Sequence, residues 1–296
     1  IFCLFVKNIS EINDENAFSE VFEKVSRAVL EKDEYRVYDE DGTERTRLAF
    51  AIEECKKYCK YTYEWFLKSD FKADKNDVEV KFGDGAKNAA YPAISLLKGK
   101  VKLSGTIDRI DKYKDYCRII DYKTGSADID NSFLYSGTKL QLYLYAAAVN
   151  DKKVAGVYYL PISDDYVMPE KTHKTLALGK TIDDKELIFA QDNNLKDAEE
   201  SEYISTTNKN GQIEGAISEH TMQAFIDYAL AISEKAALNM ESGFIAPSPF
   251  ETVCDYCAFK SMCGGEVNKR GRRTIKDEQI EKAILNTETF GGDSEQ

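Results

Sequence analysis

Two neighbouring strand-like segments, joined by a short polar turn, constrain the fold of this chain more than any other feature. Lys100 to Asp111 alternates apolar and polar residues, and Tyr116 to Tyr122 is a short apolar run that ends in polar residues. The first pattern predicts a half-exposed strand and the second a buried strand. Folded as an antiparallel hairpin, the two strands would bring Asp108 close to Asp121 at one end of the pair.

Helical and strand patterns on both sides of this hairpin place it within a larger fold. Apolar residues at helical spacing predict helices over Glu15–Lys32, Thr46–Ser69, Leu140–Val149 and His220–Met240, and further strands are predicted over Val78–Phe82 and Val154–Leu160. The resulting order is helix, helix, strand, strand, strand, helix, strand. This order indicates an α/β fold with a mixed sheet.

The composition limits the classes of function that fit this chain. No apolar run reaches the roughly 20 residues needed to span a bilayer, and Ile1–Val6 lacks the basic flank and cleavage site of a signal peptide. We therefore expect a cytoplasmic protein with no membrane partner, and the missing initiator Met suggests a fragment. The net charge of −12 argues against a standalone, high-affinity nucleic-acid binder. It does not argue against an enzyme whose bound cations reverse the local field.

Asp108, Asp121 and Lys123 form the group of residues that points most directly to chemistry. Two carboxylates at the distance of a hairpin repel each other unless a cation lies between them, and hard oxygen ligands suit Mg²⁺. Lys123 follows Asp121 by two residues, so both side chains point to the same face of a strand. A lysine there can orient or deprotonate a water molecule and stabilise charge on a phosphate. The alternative is a pair of turn aspartates with a solvated lysine, but the two segments together favour a metal site.

Three motifs, in this order along the chain, carry a family resemblance: Gly105-Thr-Ile-Asp-Arg-Ile-Asp, Asp121-Tyr-Lys-Thr-Gly and Gln141-Leu-Tyr-Leu-Tyr. Together they resemble the RecB-like branch of the PD-(D/E)xK nucleases. The resemblance implies a restriction-endonuclease-like core, in which helices flank a mixed central sheet. It also implies that Asp108 and Asp121 bind Mg²⁺ or Mn²⁺ and that Lys123 is the catalytic lysine.

The same resemblance suggests roles for further residues. It implies that the main-chain carbonyl of Tyr122 faces the metal. Gln141 and Tyr145, four residues apart on a helix, would share a face that contacts the site or the DNA. Glu79 matches an acidic residue of the family's first core strand, and it is either part of the site or a solvated strand residue. Ser19, a poor metal ligand, stands where the family usually has a metal-binding histidine.

Three of the seven cysteines form a cluster near the C-terminus: Cys254, Cys257 and Cys263. Their spacing indicates a metal site, and either zinc or a [4Fe–4S] cluster needs a fourth ligand from elsewhere. A similar triplet follows the nuclease motifs in the AddB-like branch of the family, which implies a [4Fe–4S] cluster that staples the ends of the domain. We expect Cys3 to be the fourth ligand, unless that ligand precedes this chain. The remaining cysteines are expected in the core: Cys55, Cys59 and Cys117.

The resemblance implies a metal-dependent nuclease acting on single-stranded DNA. The chain would be part of a helicase–nuclease with an AddA-like partner that processes double-strand breaks. Its expected parts are a helical N-terminal part (1–75), a nuclease core (76–240) with an insertion at about 163–215, a cysteine segment (241–270) and a charged, disordered tail (271–296). Two alternatives stay open: a CRISPR-associated iron–sulfur exonuclease, and a DNA-end-binding module whose nuclease has decayed.

Overall fold

The computed structural model describes residues 1–32, 35, 38, 42–83, 88–124, 128–162, 177–244, 257–259, 262 and 277–286. The α-helices are α1 (Phe2–Lys7), α2 (Glu15–Leu30), α3 (Gly42–Lys68), α4 (Asn131–Ser136), α5 (Gln141–Ala148), α6 (Lys185–Gln191), α7 (Glu219–Glu241) and α8 (Asp277–Leu285). The strands are β1 (Val78–Phe82), β2 (Ile94–Leu96), β3 (Val101–Leu103), β4 (Gly105–Tyr113), β5 (Tyr116–Lys123), β6 (Lys153–Pro161), β7 (Leu178–Ile182), β8 (Thr207–Lys209), β9 (Gln212–Glu214) and β10 (Ala216–Ile217). No helix within these ranges is long and apolar enough to cross a membrane.

A six-stranded mixed sheet forms the centre of the fold, in the strand order β1-β4-β5-β6-β7-β10. β1 and β4, β4 and β5, and β6 and β7 pair antiparallel, whereas β5 with β6 and β7 with β10 pair in parallel. The connection from β5 to β6 runs through α4 and α5, because parallel neighbours require a crossover. The expected α/β core, a mixed central sheet flanked by helices, is confirmed.

Hydrophobic cores lie on both faces of this sheet. Ile119 points to one face, where it belongs to the same core as Phe225 of α7. Ile120, the next residue along β5, points to the other face and shares a core with Trp65 of α3. Burial on both faces explains why β5 is almost continuously apolar. It also holds the end of the β4–β5 hairpin between two packed layers.

The segment from Lys100 to Asp111, expected to be one strand, is two strands that belong to different sheets. β3 pairs with β2 in a small hairpin, whereas β4 begins after Ser104 and joins the central sheet. Polar and apolar residues continue to alternate across Ser104, so the periodicity gives no sign of the break. The β2–β3 hairpin is held to α7, where Glu234 accepts a hydrogen bond from the Leu97 amide (3.0 Å).

Folded elements occur in two regions for which the sequence suggests an insertion and a disordered tail. Within 163–215, β7 is a strand of the central sheet and α6 follows it, while residues 163–176 lie outside the described part. Within 271–296, α8 buries Ile280 and Ile284 and packs beside α4 and α7. The expectation of disorder is therefore wrong for 277–285. Two isoleucines four residues apart give this charged helix one apolar face.

Candidate active site

The β4–β5 hairpin brings the two expected carboxylates together. Pairing of Arg109 with Ile120 in the antiparallel ladder puts Asp108 opposite Asp121, and opposite residues of such a ladder point to the same face. The Asp108 carboxylate accepts a hydrogen bond from the Tyr122 amide, 2.8 Å from Oδ2. The Asp121 side chain is only 2% exposed. Both carboxylates thus lie at the same end of the strand pair, as the alternation of side chains indicates.

A series of polar contacts joins Asp121 to helix α5. Lys123 Nζ lies 2.5 Å from Asp121 Oδ2 and donates a hydrogen bond to Gln141 Oε1 (2.7 Å). Gln141 Nε2 in turn donates to the hydroxyl of Tyr145 (2.7 Å). The Lys123 ammonium also lies 5.1 Å from the centroid of the Tyr159 ring. Because Gln141 and Tyr145 are about one helical turn apart, α5 presents both side chains on the face directed at Lys123.

The electrostatics at this end of the hairpin favour a bound cation. Burial raises the pKa of the Asp108 carboxyl, and the Tyr122 amide and Lys123 offset only part of this effect. Burial also raises the pKa of Asp121, where the Lys123 contact lowers it and the charge of Asp108 raises it. Apart from its ion pair with Lys123, Asp121 Oδ2 accepts no hydrogen bond from the described residues. One ammonium therefore undercompensates two partly buried carboxylates, a setting that a divalent cation stabilises.

Glu79 lies near the carboxylate pair but is engaged with another cation. Its half-exposed side chain forms an ion pair with Lys7 of α1, and its charge contributes to the raised pKa of Asp108. The φ angle of Glu79 is 57°, a left-handed conformation that is uncommon for residues other than glycine. Ser19 is half-buried on α2. Within the described ranges, no three or more His, Cys, Asp or Glu residues are grouped so that they could hold a metal ion, and the candidate ligand side chains are Asp108 and Asp121.

Cys3 of α1 also lies near these carboxylates. Burial raises the pKa of its thiol, and the negative charges of Glu79 and Asp108 raise it further. Cys257 is half-buried, whereas its expected partners lie outside the described residues: Cys254 and Cys263. The four-thiol cluster therefore stays a prediction. The other cysteines pack in the core as expected: Cys59 and Cys117 are fully buried and Cys55 is partly buried.

A buried charge network lies behind the hairpin, and sequence reasoning did not identify it. Arg109 and Asp111, on the face of β4 opposite to Asp108, are fully buried and form an ion pair (Nε to Oδ1, 2.5 Å). Arg118 of β5 donates to the same carboxylate (2.8 Å) and its guanidinium carbon lies 4.1 Å from the centroid of the Trp65 ring. Burial alone would raise the pKa of Asp111, but the two guanidinium groups lower it. The i, i+2 spacing of Arg109 and Asp111 is the sequence signal for this pair.

A cavity of about 610 Å³ opens beside Lys123 and Gln141. Its walls come from β1, the β2–β3 hairpin, the segment before α5, α5 itself and β6. Three aromatic rings line it: Phe82, Tyr145 and Tyr159. Lys139 is a second cationic side chain in the wall. The sequence gives no signal for this cavity, because its walls are far apart along the chain.

Comparison with known proteins agrees with this geometry. Residues 6–264 match the family described as the PD-(D/E)XK nuclease superfamily. The chain is 30% identical over 245 residues to the AddB-type subunit of the ATP-dependent helicase/deoxyribonuclease of Thermoanaerobacter sp. (strain X514), covering 70% of this chain and 21% of the relative. It is 30% identical over 268 residues to the protein of the same description from Clostridium perfringens (strain SM101 / Type A), covering 78% and 23%. The chain thus spans about a fifth of the length of these curated relatives.

Proposed function

Because the chain belongs to the PD-(D/E)XK nuclease superfamily, we propose that it is a metal-dependent exonuclease that hydrolyses phosphodiester bonds of single-stranded DNA. The observation that carries this proposal is the meeting of Asp108, Asp121 and Lys123 at one end of the β4–β5 hairpin. Carboxylates suited to a hard cation, next to a fixed ammonium, are groups that can stabilise charge on a reacting phosphate.

The residues fit Mg²⁺, or Mn²⁺ in its place. The ion would be held by the carboxylates of Asp108 and Asp121 and by the main-chain carbonyl of Tyr122. The two side chains suit it because they are oxygen donors, partly buried and undercompensated by one ammonium. The Tyr122 ring packs edge-on against Phe2 with centroids 4.6 Å apart, so Tyr122 would contribute through its backbone. When bound, the ion would lower the pKa of a bound water and neutralise charge on the phosphate.

Lys123 is the side chain placed to act on the attacking water. Gln141 accepts a hydrogen bond from the Lys123 ammonium. Tyr145 accepts one from the Gln141 amide nitrogen, so the amide oxygen is the atom that faces Lys123. With Asp121 on its other side, the ammonium is held beside the carboxylate pair. There it would orient the water and stabilise the charge that develops on a phosphate oxygen.

The relatives are described as part of an ATP-dependent helicase/deoxyribonuclease, and this description suggests the wider context. The present chain would be the nuclease part of an AddB-like protein, working with an AddA-like partner on the ends of broken DNA. A helicase that delivers a single strand would be compatible with a net charge of −12, because affinity then need not come from counterion release alone. A structural [4Fe–4S] cluster would be held by four thiolates: Cys3, Cys254, Cys257 and Cys263.

A nuclease assay tests this function. The purified protein with Mg²⁺ or Mn²⁺ should shorten end-labelled single-stranded DNA, and EDTA should stop the reaction. Asp121→Asn keeps the shape of the side chain but removes its charge, and it should lower the rate at least about 100-fold. Asp115→Asn, in the exposed turn of the same hairpin, should cleave like the wild type. Absence of cleavage by the wild type would favour a DNA-end-binding module, and a fully active Asp121→Asn would contradict the site.

A further inference from the structure

The cavity of about 610 Å³ lies directly beside the proposed reaction centre, with Lys123 and Gln141 in its wall. We propose that this cavity is a subsite for one unpaired nucleobase of the DNA strand, next to the phosphodiester bond that is cut. This inference rests on the proposed function and names the part of the protein that would select a single strand. Its volume lies within the range of cavities that hold small organic ligands.

The walls have a composition suited to a nucleobase. The rings of Phe82, Tyr145 and Tyr159 line the cavity together with aliphatic side chains from the β2–β3 hairpin and α5. Phe82 and Tyr145 pack edge to face with their centroids 6.1 Å apart, which helps to fix the orientation of both rings. Every nucleobase has a π-face that stacks on aromatic side chains, whatever its sequence. These walls would therefore bind bases with little discrimination among them.

Charged groups connect the cavity to the reaction centre. Lys123 and Gln141 line the cavity and also contact each other beside Asp121. Lys139 lies in the wall as well, with its ammonium 4.2 Å from the centroid of the Phe133 ring. A phosphate bound at Lys123 would thus bring its own nucleoside to the cavity, next to a second cation. A base within a duplex would first have to leave the stack, which costs free energy, so the cavity favours an unpaired strand.

The β2–β3 hairpin offers a matched pair of substitutions. Leu103 pairs with Ile94 across the hairpin, and both line the cavity. Ser95, the next residue along β2, is exposed and points to the other face. Leu103→Trp therefore adds a ring within the cavity, whereas Ser95→Trp adds the same ring outside it.

Binding is measured in Ca²⁺ without Mg²⁺, with single-stranded oligonucleotides that carry 2-aminopurine at each position in turn. The wild type should change the fluorescence of the base at one position near the strand end. Leu103→Trp should bind that oligonucleotide about tenfold more weakly, a loss of the size expected for one stacked base. Ser95→Trp should bind like the wild type. A wild type without a position-dependent signal, or Leu103→Trp with unchanged affinity, would overturn the subsite.

An abasic oligonucleotide decides the question if Leu103→Trp does not fold. Removing the base at the sensitive position should weaken binding to the wild type about tenfold, and equal affinity would refute the subsite. Cleavage in Mg²⁺ separates this inference from the proposed function. Protein that binds the base but cuts no DNA would refute the nuclease and support the subsite, whereas equal binding and cleavage of intact and abasic strands would do the reverse.

Discussion

Neighbouring residues of β4 send their charged side chains to opposite faces of the sheet. Asp108 lies opposite Asp121, whereas Arg109 is buried on the other face with Asp111. The pKa of Asp108 is raised and that of Asp111 is lowered, although Asp111 is the more deeply buried. The difference follows from compensation, since two guanidinium groups surround Asp111 while Asp108 and Asp121 share one ammonium. Perturbed carboxylates of the undercompensated kind are typical of functional sites.

Lys123→Ala should lose most turnover but keep its affinity for the metal. The lysine is assigned to the water and to the charge of the transition state, so the single-turnover cleavage rate should fall about 100-fold. Calorimetric titration with Mn²⁺ measures metal binding separately. Lys153→Ala, at the other end of the β5–β6 pair, is the matched control and should behave like the wild type. Lost Mn²⁺ affinity with unchanged chemistry would reverse the roles given to Lys123 and the carboxylates.

Asp111→Asn should lower the free energy of unfolding by about 3–5 kcal/mol, because it leaves two guanidinium groups buried without a counter-charge. The pKa of Asp111 is lowered in the folded protein, so the unfolded chain takes up this proton first as the pH falls. The stabilising contribution is therefore complete at neutral pH and is lost as the pH falls below about 4 towards the folded-state pKa.

Urea unfolding at pH 7 and at successively lower pH measures this contribution. The difference in unfolding free energy between the wild type and Asp111→Asn should narrow in acid. The exposed Asp115→Asn should match the wild type throughout. A difference that stays constant down to the acid limit of the folded state would show that Asp111 does not carry this pH dependence.

Among the elements, those with a single clear apolar period could be predicted from the sequence. The helix expected over His220–Met240 spans Glu219–Glu241, and the strand expected over Tyr116–Tyr122 ends one residue later. The break between β3 and β4 could not be predicted, because alternation is the same whether or not a strand changes its partner. α8 could not be predicted either, because its short apolar face forms only where α4 and α7 cover it.

The same contrast applies to the candidate site. The approach of the two carboxylates follows from the hairpin, and the contact of Gln141 with Tyr145 follows from helical spacing. The stacking of Arg118 on Trp65 joins β5 to α3 and depends on how these elements dock. The cavity likewise depends on the packing of several elements. Local periodicity thus specifies what one element presents, and tertiary packing decides what it meets.

Ile284→Ala should lower the free energy of unfolding by about 2–5 kcal/mol, the usual effect of truncating a buried isoleucine. Ile284 is 1% exposed and belongs to the main core. Lys282→Ala, on the exposed side of the same helix, should change it by no more than about 0.5 kcal/mol. Thermal and urea unfolding measure both variants. Equal stability of the two would show that α8 does not contribute to the core in solution.

The whole chain combines an acidic composition with a site that holds cations. The net charge is −12, yet Lys123 and Lys139 line the cavity and the carboxylate pair suits a divalent metal. Affinity for DNA would then come from local groups, whereas the long-range field of the chain repels phosphate. This arrangement suits a nuclease that receives its strand from a partner.

The cysteines bear on the stability of the whole molecule. Cys3 and the triplet Cys254, Cys257 and Cys263 should bind a [4Fe–4S] cluster, and anaerobically purified protein should be brown with broad visible absorbance. A cluster closed by Cys3 would cross-link a loop of nearly the whole domain, which restrains the unfolded chain strongly. Metal binding then contributes directly to folding free energy.

Cys257→Ala should therefore lose iron and lower the Tm, while Cys117→Ala, which removes a buried thiol from a strand, should keep its iron. Cys3→Ala should behave like Cys257→Ala if Cys3 is the fourth ligand, and iron retained in Cys3→Ala would place that ligand outside this chain. Iron content, visible absorbance and thermal unfolding measure these outcomes. Colourless wild type with stoichiometric zinc, or Cys257→Ala as stable as the wild type, would contradict the cluster. Because the thiols and the carboxylates are separate groups, loss of iron should reduce stability before it alters the geometry of Asp108 and Asp121.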